Sequence, residues 1–182
     1  MISNYMKRYI LTGTPGSGKT SIIHELKSKG YSVVEEAATD VIALLKGNPE
    51  PWRQPDFIDK IVSLQKQRQI QASVSPDGLQ FYDRSPVCTY ALSRYLGYPP
   101  SACLLEEMER IERENIYQKQ VFFIENLGFT QPTEARKISF AESLIFEQVH
   151  LETYASFGYD FIKIPAASLP ERVRSITDRF YG

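Results

Sequence analysis

Apolar residues in this chain fall into short continuous runs, separated by stretches where they recur every three or four positions. The short runs predict strands over Arg8–Thr12, Tyr31–Glu35, Leu79–Tyr82, Gln120–Ile124 and Asp160–Ile164. The longer periodic stretches predict helices over Lys19–Lys29, Ala37–Leu45, Asp56–Val74, Pro86–Tyr95, Ser101–Asn115, Ser139–Phe157 and Leu169–Phe180. Several boundaries carry their own chemistry. Gly30 stands where a helix stop places glycine. Ser85-Pro86 reads as an N-cap followed by the first helical position. Ser168 and Glu171 have the spacing of a capping box. Strands that alternate with helices form a parallel sheet covered on both faces, so the expected fold is α/β. In such sheets the ligand crevice lies beyond the C-terminal ends of the strands. The residues that follow strands are therefore the ones to read for chemistry.

The segment after the first predicted strand is Gly13-Thr14-Pro15-Gly16-Ser17-Gly18-Lys19-Thr20, which fits G-x-x-x-x-G-K-[ST] at every position. It joins a strand to a helix, as that motif requires. Its successive backbone N–H groups converge on anionic oxygens at the positive end of a helix. The glycines permit close approach of the backbone to a phosphate. Lys19 has the reach for β- and γ-phosphates, and the Thr20 hydroxyl is a Mg2+ ligand. The motif predicts binding of a nucleoside triphosphate.

Composition narrows the setting. The chain has 182 residues, enough for a single domain that buries about 70% of its unfolded surface. The net charge of −1 gives no electrostatic footprint for general nucleic-acid binding. No apolar run approaches the roughly 20 residues of a membrane span, and Met1–Lys7 lacks the apolar core of a signal peptide. Cys88 and Cys103 are the only cysteines and have no C-x-x-C spacing, which suits reduced thiols and a cytoplasmic setting. Nothing here sets the oligomeric state.

Four further positions follow strands. Glu35 and Glu36 end the second one. Adjacent carboxylates on an extended chain point to opposite sides, so at most one faces the crevice. A phosphotransferase needs a base beside the acceptor hydroxyl, and Glu36 is preferred for it. Asp83-Arg84-Ser85 ends the third strand. Asp83 stands where a P-loop protein holds Mg2+, and Arg84 can pair with a phosphate or an acceptor carboxylate. Glu125 ends the fourth strand and competes with Asp83 as the acid on the metal side. The polar stretch from Asn126 to about residue 138 contains Gly128, Pro132, Arg136 and Lys137 and can serve as a lid. Its Arg136 could then stabilise charge on a transferring phosphoryl group. Trp52, in Glu50-Pro51-Trp52-Arg53, is a candidate aromatic wall for an acceptor pocket. His24 and His150 sit inside helical patterns without metal-like partners and read as structural or solvated.

With these residues placed, the stretch RYILTGTPGSGKTSIIHELKSKGYSVVEEAATDVI from Arg8 to Ile42 resembles the AAA-type domain family that contains bacterial ribosylnicotinamide kinase domains and the TRP-translocation-defect protein. FYDRSPVCTYA at Phe81–Ala91, VFFIEN at Val121–Asn126, TEARKISFAE at Thr133–Glu142 and YASFGYDFIKIPAASLPERVRSI at Tyr154–Ile176 follow in the same order. The resemblance implies a P-loop kinase-like fold, with a five-stranded parallel sheet in the order 2-3-1-4-5. It also implies binding of ATP or GTP. Some members of the family are kinases and others are nucleotide-dependent regulators. Glu36 and Asp83-Arg84-Ser85 are similar in placement to the acidic and E-R-S motifs of deoxyribonucleoside kinases, where the first acid is the general base; here Asp83 replaces a glutamate. The N-K-x-D guanine motif is absent, which favours ATP, with GTP still possible. The resulting expectation is a Mg2+-dependent kinase acting on a small hydroxylated acceptor, a nucleoside or ribosyl compound. The alternatives are a nucleotide switch with a protein or phosphoinositide partner, and a plain NTPase.

Overall fold

Five parallel strands run in the order β2-β3-β1-β4-β5 in the computed structural model of the chain, which describes residues 6–128 and 139–181. They are β1 (Lys7–Thr12), β2 (Ser32–Val34), β3 (Leu79–Asp83), β4 (Gln120–Ile124) and β5 (Asp160–Ile164). The helices are α1 (Lys19–Ser28), α2 (Ala38–Leu44), α3 (Phe57–Gln71), α4 (Pro86–Tyr95), α5 (Ala102–Arg113), α6 (Phe140–Ser156) and α7 (Leu169–Thr177), with a 3-10 turn at Pro51–Arg53. Each predicted strand and helix is present, and the strand order is the expected one.

The three central strands, β1, β3 and β4, are largely buried on both faces, which is why they read as continuous apolar runs rather than alternating ones. Alternate residues nonetheless go to different cores. Ile10, Tyr82 and Val121 pack with Val41, Ile61, Val87, Leu104, Met108 and Tyr154 under α2–α6. Tyr9, Leu11, Phe81 and Phe122 pack on the other face with Ile22, Ile23 and Leu26 of α1 and Val173 and Ile176 of α7. The period of two along each strand dictates this division.

Register brings the functional ends together. Leu11 lies beside Asp83 in one direction and beside Phe122 in the other, and Thr12 lies beside Phe123. From β1 the chain crosses to β2, whereas from β3 it crosses the opposite way to β4. The reversal opens a crevice beyond the C-terminal ends of β1 and β3. The P-loop leaves β1 there, and Asp83-Arg84 leaves β3.

Three ends differ from the sequence reading. β2 stops at Val34, so Glu35 and Glu36 follow the strand rather than close it. α3 stops at Gln71 because Ala72 is already extended, at φ −61° and ψ 132°, and Pro76 follows soon after. α7 stops at Thr177, and Phe180 turns back onto Tyr9, with ring centroids 4.9 Å apart.

Candidate active site

The P-loop needs its glycines for two separate reasons. Gly13 has φ +139°, and a Cβ there would lie 2.4 Å from the Ile124 carbonyl oxygen at the end of β4. Gly18 has φ +91°, and its Cβ would lie 3.1 Å from the Arg172 guanidinium. Lys19 is buried inside the loop. Its ammonium donates to the carbonyls of Thr14 at 2.7 Å and Gly13 at 3.2 Å, and to the Ser17 hydroxyl at 3.1 Å. Asn126 holds the loop from the β4 side, with its amide donating to the Thr14 hydroxyl at 3.2 Å. Its carbonyl accepts from the Gly128 amide at 2.7 Å.

Thr20 and Asp83 meet across the crevice. The Thr20 hydroxyl donates to Asp83 Oδ2 at 3.1 Å. Asp83 Oδ1 is buried and has no hydrogen-bond partner among the described residues. Burial raises the Asp83 carboxyl above its ordinary range, and Glu36 adds to this, while Lys19, Arg84 and Thr20 oppose it. A buried carboxylate with one oxygen unpaired is costly on its own. A hydroxyl and a carboxylate are the hard oxygen donors that Mg2+ takes, so these residues fit that ion. Glu125 closes β4, with its amide on the Ile164 carbonyl. The Thr20 hydroxyl is paired with the Asp83 carboxylate. No group of three or more potential metal ligands occurs among the described residues.

Glu36 and Arg84 form the second half of the site. Arg84 Nε donates to Glu36 Oε1 at 3.0 Å, and the pair is largely buried, at 8% and 11% side-chain exposure. The Thr39 hydroxyl donates to Glu36 Oε2 at 2.9 Å. Glu35 faces elsewhere, half-exposed and paired with Lys27 at 3.0 Å. The two carboxylates thus have separate partners, Glu35 on Lys27 and Glu36 on Arg84. Arg84 occupies the left-handed region at φ +71°, an uncommon state for a side chain with a Cβ that clusters at functional sites. Its amide donates to the Leu11 carbonyl at 3.1 Å. Burial disfavours its charge, but Glu36, with Cys88 and Asp83, more than restores it.

His150 on α6 supports Arg84 from behind. Its Nδ1 lies 2.9 Å from the Phe146 carbonyl, and its Nε2 lies 3.5 Å from Arg84 Nη1. An N–H at Nδ1 leaves Nε2 as the acceptor facing the guanidinium. Burial and the Arg84 charge push the imidazole down to about 3, so it is neutral at physiological pH. Phe146 lies beneath the guanidinium, 5.9 Å from ring centroid to Cζ. The Ser85 side chain accepts from the Val87 amide at the start of α4, as its N-cap role predicts, and also meets the Tyr154 hydroxyl at 2.9 Å.

A cavity of about 320 Å3 opens between these groups. Pro15 of the P-loop, Glu36, Arg84, Trp52, Phe57 and Phe146 are among its walls. Gln65 also faces it, its carbonyl accepting from the Thr89 hydroxyl at 2.8 Å. Among the sequence-derived candidates, Pro15, Glu36, Trp52 and Arg84 line this cavity, while Thr20 and Asp83 meet each other and do not line it. Arg136, Lys137 and most of the proposed lid lie outside the described residues. The sequence did not single out Gln65 or Arg172, and His150, read there as structural or solvated, is buried. The helical spacing of Phe146 and His150 placed both on one face of α6 and could have pointed to His150. His24 is exposed. No helix among the described residues is long and apolar enough to cross a membrane.

The fold recurs in solved structures. A NadR protein in complex with NR aligns with a TM-score of 0.70 at 15% identity, over 98% of this chain and 52% of that one. A NadR protein in complex with NAD and AMP-PNP aligns equally well, at 0.70 and 15%, with 50% of its length covered. The chain therefore spans about half the length of these NadR chains. Deoxyadenosine kinase from M. mycoides, with dCMP and a flexible dCDP bound, aligns at 0.65 and 12% identity, over 96% of this chain and 98% of that one. These likenesses identify a P-loop kinase fold. Among curated proteins, no sequence match is found. Residues 8–172 match the AAA domain family, and with nearly the whole chain inside that match, the protein belongs to this family.

Proposed function

We propose that the protein is a phosphotransferase that uses MgATP to phosphorylate a small hydroxylated acceptor, a nucleoside or ribosyl compound. One observation carries the reading: the cavity walled by Glu36, Arg84 and aromatic rings opens directly beside the phosphate loop through Pro15. A plain NTPase has no use for a second pocket with a carboxylate in its wall. The volume and the aromatic walls suit a planar ring joined to a sugar. The solved relatives support the same assignment, since they hold NR, AMP-PNP and deoxynucleotides.

In this reading the P-loop amides and Lys19 bind the phosphates of ATP and offset their charge. Thr20 and Asp83 hold Mg2+, which when bound neutralises further phosphate charge. Glu36 accepts the acceptor hydroxyl proton. Arg84 and Thr39 orient its two oxygens, Oε1 accepting from Arg84 Nε and Oε2 from the Thr39 hydroxyl. Arg84 holds Glu36 in place and puts a cation beside the incoming oxygen. His150 stays neutral and leaves the Arg84 charge undiminished. Positioning and electrostatics suffice for this chemistry, so no covalent nucleophile is required.

The test is a screen of nucleosides and ribosyl compounds with MgATP and MgGTP, following acceptor-dependent loss of triphosphate. Turnover with an acceptor should exceed hydrolysis without one and vanish in Lys19→Ala. Equal nucleotide consumption with and without every acceptor would leave an NTPase, and a nucleotide-dependent change in protein binding without turnover would leave a switch.

A further inference from the structure

Arg172 is a cation placed against the local field. Ser168 and Glu171 cap α7, so Arg172 lies in its first turn, where the helix dipole favours negative charge. It is also only 3% exposed. Specific contacts must offset both penalties. Its guanidinium donates to two main-chain carbonyls, from Nη1 to Ser17 at 2.6 Å and from Nη2 to Glu125 at 2.8 Å. Its Nε is buried and lacks a partner among the described residues. Three separate elements meet at this one group: the P-loop after β1, the end of β4, and α7 after β5.

We propose that Arg172 is a positioning residue that fixes the phosphate-binding loop from behind. The inference rests on the reading of Gly13–Thr20 as a phosphate cradle. The Ser17 carbonyl and the Gly18 N–H belong to one peptide plane, and in a trans peptide the two point in opposite directions. By holding the Ser17 oxygen on the convex side of the loop, Arg172 directs the Gly18 N–H to the concave side, where phosphate oxygens bind. The bond also polarises that peptide and makes its N–H a stronger donor. The close packing agrees with this. Gly18 presents its Cα to the guanidinium, and a Cβ would stand 3.1 Å from Nη1. Glycine at 18 thus serves both the turn and the approach of Arg172. Without the clamp, the 17–18 peptide is free to rotate, and the cradle loses a preset donor.

The experiment measures binding of MgATP and of inorganic tripolyphosphate to the full chain by calorimetry, in the wild type, Arg172→Met, Arg172→Lys and Arg174→Met. Arg174 is an exposed residue on the same helix and serves as the control. Arg172→Met should raise both dissociation constants about tenfold, the loss expected for one charge-assisted hydrogen bond. Arg172→Lys should fall between it and the wild type, and Arg174→Met should bind as the wild type does. Added methylguanidinium should restore part of the affinity of Arg172→Met, which a general loss of packing would not allow. Wild-type affinity in Arg172→Met, or a loss for MgATP without one for tripolyphosphate, overturns the inference. If Arg172→Met does not fold, Arg172→Lys decides, and wild-type affinity in it has the same meaning. A wild-type protein that binds neither ligand removes the cradle reading, and the inference with it.

Discussion

Lowering the pH from 7.5 to 5 should destabilise this protein through His150. The imidazole is buried against Phe146 and Arg84 and is pushed down to about 3, against an ordinary value near 6.5. The folded state therefore keeps it neutral, whereas the unfolded chain binds a proton as pH falls through about 6.5. The unfolded state binds more protons throughout this window, so stability is full above the unfolded value and drops as pH descends towards the folded one. Integrating from pH 7.5 to 5 gives a loss of about 2 kcal/mol, nearly independent of the folded value while that stays below about 4. This is a sizeable part of the roughly 5–15 kcal/mol that holds a domain together. The midpoint of thermal unfolding should fall by about 4–8 °C from this source alone. The assay is urea unfolding at both pH values in the wild type and in His150→Gln, which has no titrating ring. The difference between the two pH responses isolates His150 from the carboxylates. If both proteins lose the same stability, the imidazole is protonated in the fold and cannot be the neutral acceptor for Arg84 described above.

Other substitutions test separate parts of the site. Gly13→Ala forces a Cβ against the Ile124 carbonyl at an unfavourable φ, and should cost about 2 kcal/mol or more, read by chemical denaturation. Asp83→Asn should reduce Mg2+-dependent turnover at least a hundredfold on the order expected for loss of a metal-side charge, with little change in metal-free nucleotide binding. Glu125→Gln should be nearly silent in the same titration, and the reverse pattern would move the metal-side role to Glu125. Trp52 is the sole tryptophan and lines the cavity, so a bound acceptor should change its emission; saturation with a turned-over acceptor and no change would place the acceptor elsewhere.

The sequence made the strands, the phosphate loop and the helix caps legible because each depends on neighbours close in the chain. The Ser168/Glu171 and Ser139/Glu142 capping boxes, with the same spacing, are examples. Glu35 and Glu36 show where local reasoning ends. Reading them as a strand end predicted that the two carboxylates would diverge, but which one faces the crevice depends on Arg84, distant in sequence, and on Lys27 on α1. The left-handed backbone of Arg84 left no local trace, because only glycine advertises such a state. His150 and Arg172 stayed hidden for a different reason. Each acts through a main-chain carbonyl or another side chain rather than through a motif, and only tertiary packing brings those partners near. Arg172 did leave a weak sign, a cation in the first turn of a capped helix.

The central claim is that the cavity beside the P-loop holds the group that receives the γ-phosphate. Its most direct test is to follow the label from γ-labelled ATP, by chromatography, in the presence of an acceptor found by the screen. The account predicts label in an organic phosphate ester in the wild type, a large loss of that product in Glu36→Gln with nucleotide binding kept, and little label in inorganic phosphate. Label found only in inorganic phosphate, or an ester formed equally well by Glu36→Gln, would contradict it.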